Sequence, residues 1–324
     1  MSTKKSLLHK TVIACAHPSL ALTKYWGKAS SKNNIPATSS LAITLSGLTS
    51  TTRISTVKKN SVVIVNGELQ PPERYSQFFQ HAGALCDENL AFKVESENDF
   101  PTGAGIASSS SGFAALACGI AKLADPDYPL GEISALARIG SGSAARSVFG
   151  GFTLLRAGSH AAEMLHDASF WPEFRIIVCI VKDAKKEYSS RLGMSLSKKT
   201  SPYFKSWVLD AEKTFKEACS ALENKDIEKL GDLARISAYR MFGTMISSAP
   251  PLVYWEPQTI GLLKFIERLR INGIGAWETM DAGPQVKLIC LKDDVHRIET
   301  ALEEHFPDIQ ALACQPGEGA SVSW

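Results

Sequence analysis

Residues 91–124 restrict the fold more than any other stretch of this chain. A short strand-like run, Ala91–Glu95, leads into PTGAGIASSSSG at 101–112, and a long helix of small residues, Gly112–Ala124, follows. Phe113, Leu116, Ile120 and Leu123 recur along that helix at helical spacing. A loop with two glycines and four serines between strand and helix admits two readings. It is a solvated turn with a serine cap, or a cradle where backbone N–H groups and hydroxyls meet phosphate. A P-loop would need Lys followed by Ser or Thr after the second glycine, and none is present. A dinucleotide fingerprint starts acceptably at Gly103 and Gly105, with Asp125 about 20 residues on. However, Ser108 fills the third glycine position, and several strands precede the loop. The neighbouring sequence has to decide.

β-rich runs fill the first hundred residues: Thr11–Ala16, Leu41–Ser46, Thr51–Val57 and Ser61–Asn66, with a turn at Asn66-Gly67. Helices are expected over Ser76–Leu85 and Ile133–Ile139, and a strand over 150–156. After the Trp171-Pro172 break comes a strand at Arg175–Val181, then a polar loop, then helices at Lys205–Leu222 and Ile227–Met245. A helix at Ile260–Asn272 is stopped by Gly273. Ala276–Thr279 and Val286–Leu291 read as paired strands, and Val295–His305 as a last helix. Strands and helices mix without strict alternation, which argues for an α+β fold. A chain of 324 residues suits two domains, expected at 1–172 and 173–324.

The net charge is +2 with no long run of one sign, so no nucleic-acid or membrane-surface footprint is expected. No apolar run approaches the roughly 20 residues of a membrane span. The basic start is interrupted at His17-Pro18, unlike a signal peptide. Seven scattered cysteines without CxxC argue against a disulfide framework or zinc site and fit a reducing cytoplasm. The seven histidines form no HExxH pattern.

Four motifs remain: TKYWGK at 23–28, SGSAARS at 141–147, SSRLGM at 189–194, and DAGP at 281–284. Each has a bland reading by itself, as an apolar plug, a capping loop, a surface charge or a turn. Together and in this order, the chain resembles the diphosphomevalonate decarboxylase family, within the GHMP small-molecule kinase superfamily. The resemblance runs through KYWGK at 24–28, IPATSSLAITL at 35–45, SENDFPTGAGIASSSSG at 96–112, SGSAARSVFGGF at 141–152, SSRLGMSLSKKTSPYFKSWV at 189–208 and MDAGPQVKL at 280–288. Two positions depart from it: Ser19 and Thr38 stand where the family usually has Asn.

The resemblance implies a two-domain GHMP-kinase-like fold, with a ribosomal protein S5 domain 2-like N-terminal domain, a ferredoxin-like C-terminal domain, and a homodimer. It implies binding of ATP with Mg2+ and of mevalonate 5-diphosphate, phosphorylation of the 3-hydroxyl, and loss of phosphate and carbon dioxide to give isopentenyl diphosphate. Asp281 is then the group that orients or takes the hydroxyl proton, Lys28 the cation that keeps it ionised, and Arg146 the guanidinium on the substrate's anionic groups. Substrate contacts are implied for Tyr25, Trp26, Gly27 and Lys28, for Ser141, Gly142, Ser143 and Ala144 beside Arg146, and for Ser190, Arg191 and Met194. Arg191 is expected to close over the substrate from the second domain. ATP contacts are implied for Ser96, Asn98, Gly103, Gly105, Ser108 and Ser109, with Ser109 near the magnesium ion. Positive charge develops at carbon 3 during decarboxylation, so that carbon is expected to lie near Asp281 and away from the cations. The alternatives at this stage are a decarboxylase or 3-kinase acting on mevalonate 5-phosphate, a nicotinamide oxidoreductase using the Gly103 loop, and a non-catalytic binding relative.

Overall fold

The computed structural model describes residues 7–30, 32–86, 90–100, 108–181 and 188–324. The glycines of the 101–107 stretch, Gly103 and Gly105, lie outside the described residues. A six-stranded sheet takes the order Ser321–Ser323, Thr11–Ala16, Ser50–Val57, Ala91–Asn98, Val62–Val65, Glu68–Leu69. Its pairings are antiparallel except that Val62–Val65 runs parallel to Ala91–Asn98. Ser50–Val57 alternates buried and more exposed residues along its length, the period of a sheet with one face on a core. The helix Ser108–Ala124 packs on that face; Ala114, Ala117 and Ala121 are fully buried, and such short side chains let helix and sheet approach closely.

Two four-stranded sheets and a two-stranded pair, Lys28–Ser30 with Ile35–Pro36, are described besides the six-stranded one. One four-stranded sheet holds Glu163–His166, Phe152–Leu155, Ser40–Thr44 and Ser19–Ala21; the other holds Trp277–Met280, Val286–Leu291, Phe174–Ile180 and Gln310–Cys314, all antiparallel. Phe174–Ile180 divides its residues between two cores. Phe174, Ile176 and Val178 pack with Leu41, Ile43 and Phe152, while Ile177 and Cys179 pack with Trp26, Met241 and Leu288. Residues from both halves of the chain therefore share each core, and the elements around position 26 are fixed by the second half's helices. The result is the expected α+β fold of two halves, with the change of sheet falling between Glu163–His166 and Phe174–Ile180.

The expected polar loop after residue 181 is corrected in part: Ser190–Thr200 is a helix. Ser189 caps it, accepting from the Leu192 N–H, and Lys198 and Lys199 occupy its last turn, where cations suit the helix dipole. Its polarity comes from a narrow buried stripe of Gly193, Met194 and Ser197 under an otherwise solvated surface. Among the described residues, no helix is long and apolar enough to cross a membrane.

Candidate active site

Asp281 leaves the end of strand Trp277–Met280 on the loop leading to Val286–Leu291. Two side chains fix that loop. Thr259 Oγ1 donates to the Pro284 carbonyl at 2.8 Å, and the Gln285 amide bonds both the N–H and the C=O of Val181, the latter at 2.9 Å. The Asp281 side chain is 26% exposed and carries a lysine on each oxygen: Lys24 Nζ at 3.1 Å from Oδ1, and Lys287 Nζ at 3.4 Å from Oδ2. Burial alone would push the carboxyl up; Lys24 and then Lys287 outweigh it and hold it well below the usual carboxylate range. Asp281 stands ready as an anion.

Lys24 is buried and held at three points. Its Nζ donates to Asp281 and, at 2.7 Å, to the Ala21 carbonyl, and its backbone N–H donates to Ser237 Oγ at 2.9 Å. Burial pulls its pKa down to about 8, against the opposing pull of Asp281. Arg146, on the short helix Ala144–Ser147, is also buried. Its Nε donates to Ser19 Oγ at 3.3 Å, and it donates a further bond to Ser40. Burial lowers its pKa to about 10, while the Asp281 and Tyr25 charges act the other way.

The four consecutive serines separate by role. Ser110 and Ser111 are buried: Ser110 Oγ accepts from the Ser19 N–H at 3.2 Å, and Ser111 bonds Ser50 at 2.6 Å. Ser108 and Ser109 stay half-buried at the helix start, and Ser109 Oγ lies 3.3 Å from Ser141 Oγ, itself 3.3 Å from Ser143 Oγ. A file of hydroxyls thus joins the helix N-terminus to the SGSAARS segment. Of the other implied ATP contacts, Ser96 is buried and bonded to Thr52 at 2.9 Å, and Asn98 accepts from Ser50. Both brace the strand behind the helix.

Tyr25 lies across this file. Its hydroxyl reaches the Asn34 carbonyl at 3.4 Å, and burial pushes its pKa up to about 12, so it stays a donor. Gly142 is what admits it: a Cβ there would stand 2.3 Å from the Tyr25 oxygen. Gly27 has φ +108°, and a Cβ on it would meet the Phe204 ring at 2.5 Å, so the chain turns here only as glycine. That turn sends Lys28 to a half-buried position near Arg191. Burial first, and then the Arg191 charge, lower the Lys28 pKa to about 8. Arg191 bridges the halves, donating to the Gly140 carbonyl at 3.2 Å, and Ser190 sits beside it in the first helical turn. Trp26 and Met194 belong to the shared core, with the Trp207 indole donating to the Trp26 carbonyl at 2.9 Å. Ala144 is fully buried and closes the Ser141 turn, its N–H bonding the Ser141 carbonyl at 2.9 Å.

A carboxylate between two lysines, a buried arginine beside it and a hydroxyl-lined helix start are arranged for an anionic substrate and phosphoryl chemistry. Comparison with known proteins points the same way. Residues 16–166 match the family model for the diphosphomevalonate decarboxylase-like N-terminal domain, and residues 176–320 match the mevalonate 5-diphosphate decarboxylase C-terminal domain. The chain belongs to the diphosphomevalonate decarboxylase family. The diphosphomevalonate decarboxylase of Candida albicans is 30% identical over 89% of this chain and 86% of its own length. The mevalonate diphosphate decarboxylase structure from Enterococcus faecalis is 33% identical, with a TM-score of 0.90 over 97% of this chain and 98% of that one. A structure of MDDEF in complex with MVAPP, AMPPCP and magnesium is 34% identical, with a TM-score of 0.91 over the same shares.

One expectation for the site needs correction. Lys28 is not an ion-pair partner of Asp281; Lys24, four residues earlier on the other side of the Gly27 turn, takes that place, and Lys287 joins it. Asp281 is thus surrounded by cations. Lys24 and Lys287 touch it, and Arg146 is near enough to feel its charge. Three cations and one anion leave a formal +2 that an incoming carboxylate and phosphoryl group would balance. Both missed lysines were marked in the sequence: Lys24 stands in the first motif, and Lys287 is the lone charge in the apolar run VKLICL.

Proposed function

We propose that this chain carries out the ATP-dependent decarboxylation of mevalonate 5-diphosphate to isopentenyl diphosphate, with release of ADP, phosphate and carbon dioxide. The observation that carries the reading is Asp281, half-open and ionised between Lys24 and Lys287 with Arg146 beside it. A tertiary alcohol attacks phosphorus poorly unless its proton is oriented or taken, and an aspartate within reach does this. The substrate hydroxyl then receives the γ-phosphoryl group of ATP. As the new phosphate leaves carbon 3 with its bonding pair, the C–C bond to the carboxylate breaks. Its electrons form the double bond, and carbon dioxide departs. The cations around Asp281 hold the substrate carboxylate and the transferring phosphoryl group in place, and the negative charge of Asp281 faces the charge that develops at carbon 3.

Ser108 and Ser109 supply donors for the ATP phosphates at a helix N-terminus, and Ser141 and Ser143 continue the file of hydroxyls toward the substrate. Magnesium fits here as an ion held mainly by phosphates and water. Among the described residues no cluster of three or more His, Cys, Asp or Glu could hold it, and the Ser109 hydroxyl offers one hard oxygen ligand. When bound, it neutralises phosphate charge. The solved relative MDDEF is in complex with MVAPP, AMPPCP and magnesium, which supports this assignment. We place Tyr25, Lys28 and Arg191 on the diphosphate, since they bring two cations and a hydroxyl donor to one mouth. The enzyme is proposed to work as a cytoplasmic homodimer. The seven cysteines, all free, support the reducing compartment, and light scattering tests the assembly.

The direct test supplies magnesium-ATP and mevalonate 5-diphosphate and looks for ADP, phosphate and carbon dioxide in equal amounts; ADP without carbon dioxide would reduce the reaction to a kinase. Substrate choice is tested by kcat/KM with the diphosphate and with mevalonate 5-phosphate. Charge-assisted hydrogen bonds contribute roughly 1.5–3 kcal/mol each, so the monophosphate should be poorer by more than tenfold. Arg191→Ala should erode that preference while leaving ATP affinity nearly unchanged. Preference of the wild type for the monophosphate would overturn the substrate assignment.

A further inference from the structure

Lys287 stands in a strand, Val286–Leu291, whose residues are buried almost throughout, and its own side chain is 3% exposed. An ammonium at such a place is costly unless it meets an anion. Across the sheet Lys287 is paired in register with Thr279 on one side and Val178 on the other. Its Nζ instead lies 3.4 Å from Asp281 Oδ2. Both side chains line one small cavity together with Ser19, Leu20, Leu45 and Val178. Lys287 therefore faces the reacting groups.

We propose that Lys287 is a second positioning cation of the reaction, holding Oδ2 of Asp281 while Lys24 holds Oδ1, so that the carboxylate meets the substrate hydroxyl ionised and in one orientation. The inference rests on the reading of Asp281 as the group that receives or orients the hydroxyl proton. A carboxylate offers about four lone-pair directions; two lysines occupy two of them and leave others on the cavity side. Asp281 is faced by Lys24 from the 23–28 segment, by Lys287 from its own hairpin and by Arg146 from the SGSAARS helix. Removing Lys287 leaves one direct ion pair and frees the carboxylate to rotate.

The test compares the pH dependence of kcat for wild type, Lys287→Met and Lys287→Arg, with Lys287→Gln in place of the methionine variant should that one not fold. An opposite charge at this range lowers a carboxylate's pKa by about 1–3 pH units. The acid limb of kcat should therefore move upward by that amount in Lys287→Met, with kcat at neutral pH falling about tenfold or more. KM for ATP should stay near the wild-type value, and Lys287→Arg should restore most of both changes. In parallel, the 13C-carboxyl resonance of Asp281, identified by its loss in Asp281→Asn, should titrate at higher pH in Lys287→Met. A profile and a titration that superimpose on the wild type, with kcat within threefold, would overturn the proposal. If Asp281→Asn itself keeps its turnover, the underlying reading of Asp281 falls instead.

Discussion

Two carboxylates three residues apart, Glu278 and Asp281, each sit between two cations, and they are built for opposite purposes. Glu278 is 1% exposed. Arg235 Nε at 2.9 Å and the Tyr239 hydroxyl at 3.0 Å take Oε1, and Arg270 takes Oε2 at 2.7 Å. Burial, and then the Glu278 charge, push the Tyr239 hydroxyl pKa up, so it remains a donor. Planar guanidinium forks and a phenol satisfy this carboxylate, and nothing further can reach it. Asp281 is 26% exposed and faces compact ammonium groups at 3.1 and 3.4 Å. It is charged like Glu278 but left unfilled on one side. Short contacts and closure lock a strand between helices; longer contacts and an open face leave room for chemistry.

The largest expected effect breaks the open carboxylate. Asp281→Asn keeps size and polarity but removes the anionic oxygen, so turnover should fall by about 10²–10⁴ with ATP affinity little changed. A variant within tenfold of wild type would place the proton elsewhere. Glu278→Gln attacks the closed carboxylate and should act on stability. Two cations would be left against a neutral amide, at a cost of about 3–5 kcal/mol in unfolding free energy by denaturant titration. If that variant keeps its unfolding midpoint and loses turnover, the contrast between the two sites collapses.

The pH dependence sharpens the same contrast. Lys24, at about 8, loses its charge within a measurable range, so kcat/KM should fall as pH rises through about 8. The stability contribution has the opposite sign. The unfolded lysine titrates near 10.5, so between about 8 and 10.5 the unfolded chain holds a proton that the folded one has released, and stability from this group rises with pH. Lys28 titrates in the same region; the limb belongs to Lys24 if it survives in Lys28→Met and changes in Lys24→Met. The smallest effect concerns Ser109→Ala, expected to raise the magnesium needed for half-maximal rate by a few-fold without changing the fold, as circular dichroism would show. Coincident magnesium titrations would return Ser109 to a capping role.

Periodicity and turn residues made most of the fold readable. Thr11–Ala16 and Val286–Leu291 fall where their residue patterns put them, and the helices Phe204–Glu223 and Ile227–Ile246 lie within a residue of expectation. Short strands escaped notice. Ser19–Ala21 and Ser321–Ser323 have three residues each, too few to show a period. Helix Ser190–Thr200 was hidden because only a narrow stripe of it is buried. At the site, Asp281, Arg146, Tyr25 and the Ser141–Ser143 turn were legible from motifs. The choice between Lys24 and Lys28 was not, because it hangs on the Gly27 turn, whose direction Phe204 sets from 177 positions away. Lys287 was legible as a lone charge among apolar residues, but its partner is a tertiary contact that spacing does not reveal.

The strand Ser321–Ser323 adds itself to the edge of Thr11–Ala16, and its Ser323 side chain bonds the Ile13 carbonyl across 310 positions. On the way, residues 315–320 bond the backbone at Thr44, Ser46, Val148 and Gly151, just beyond the helix that carries Arg146. During synthesis the first sheet emerges early, yet its outer edge stays bare until residues 321–323 have left the ribosome. A nascent chain in that interval offers an unpaired strand edge to its neighbours on the same messenger. Removing residues 315–324 would recreate that state and should promote self-association before any change at Asp281 is felt.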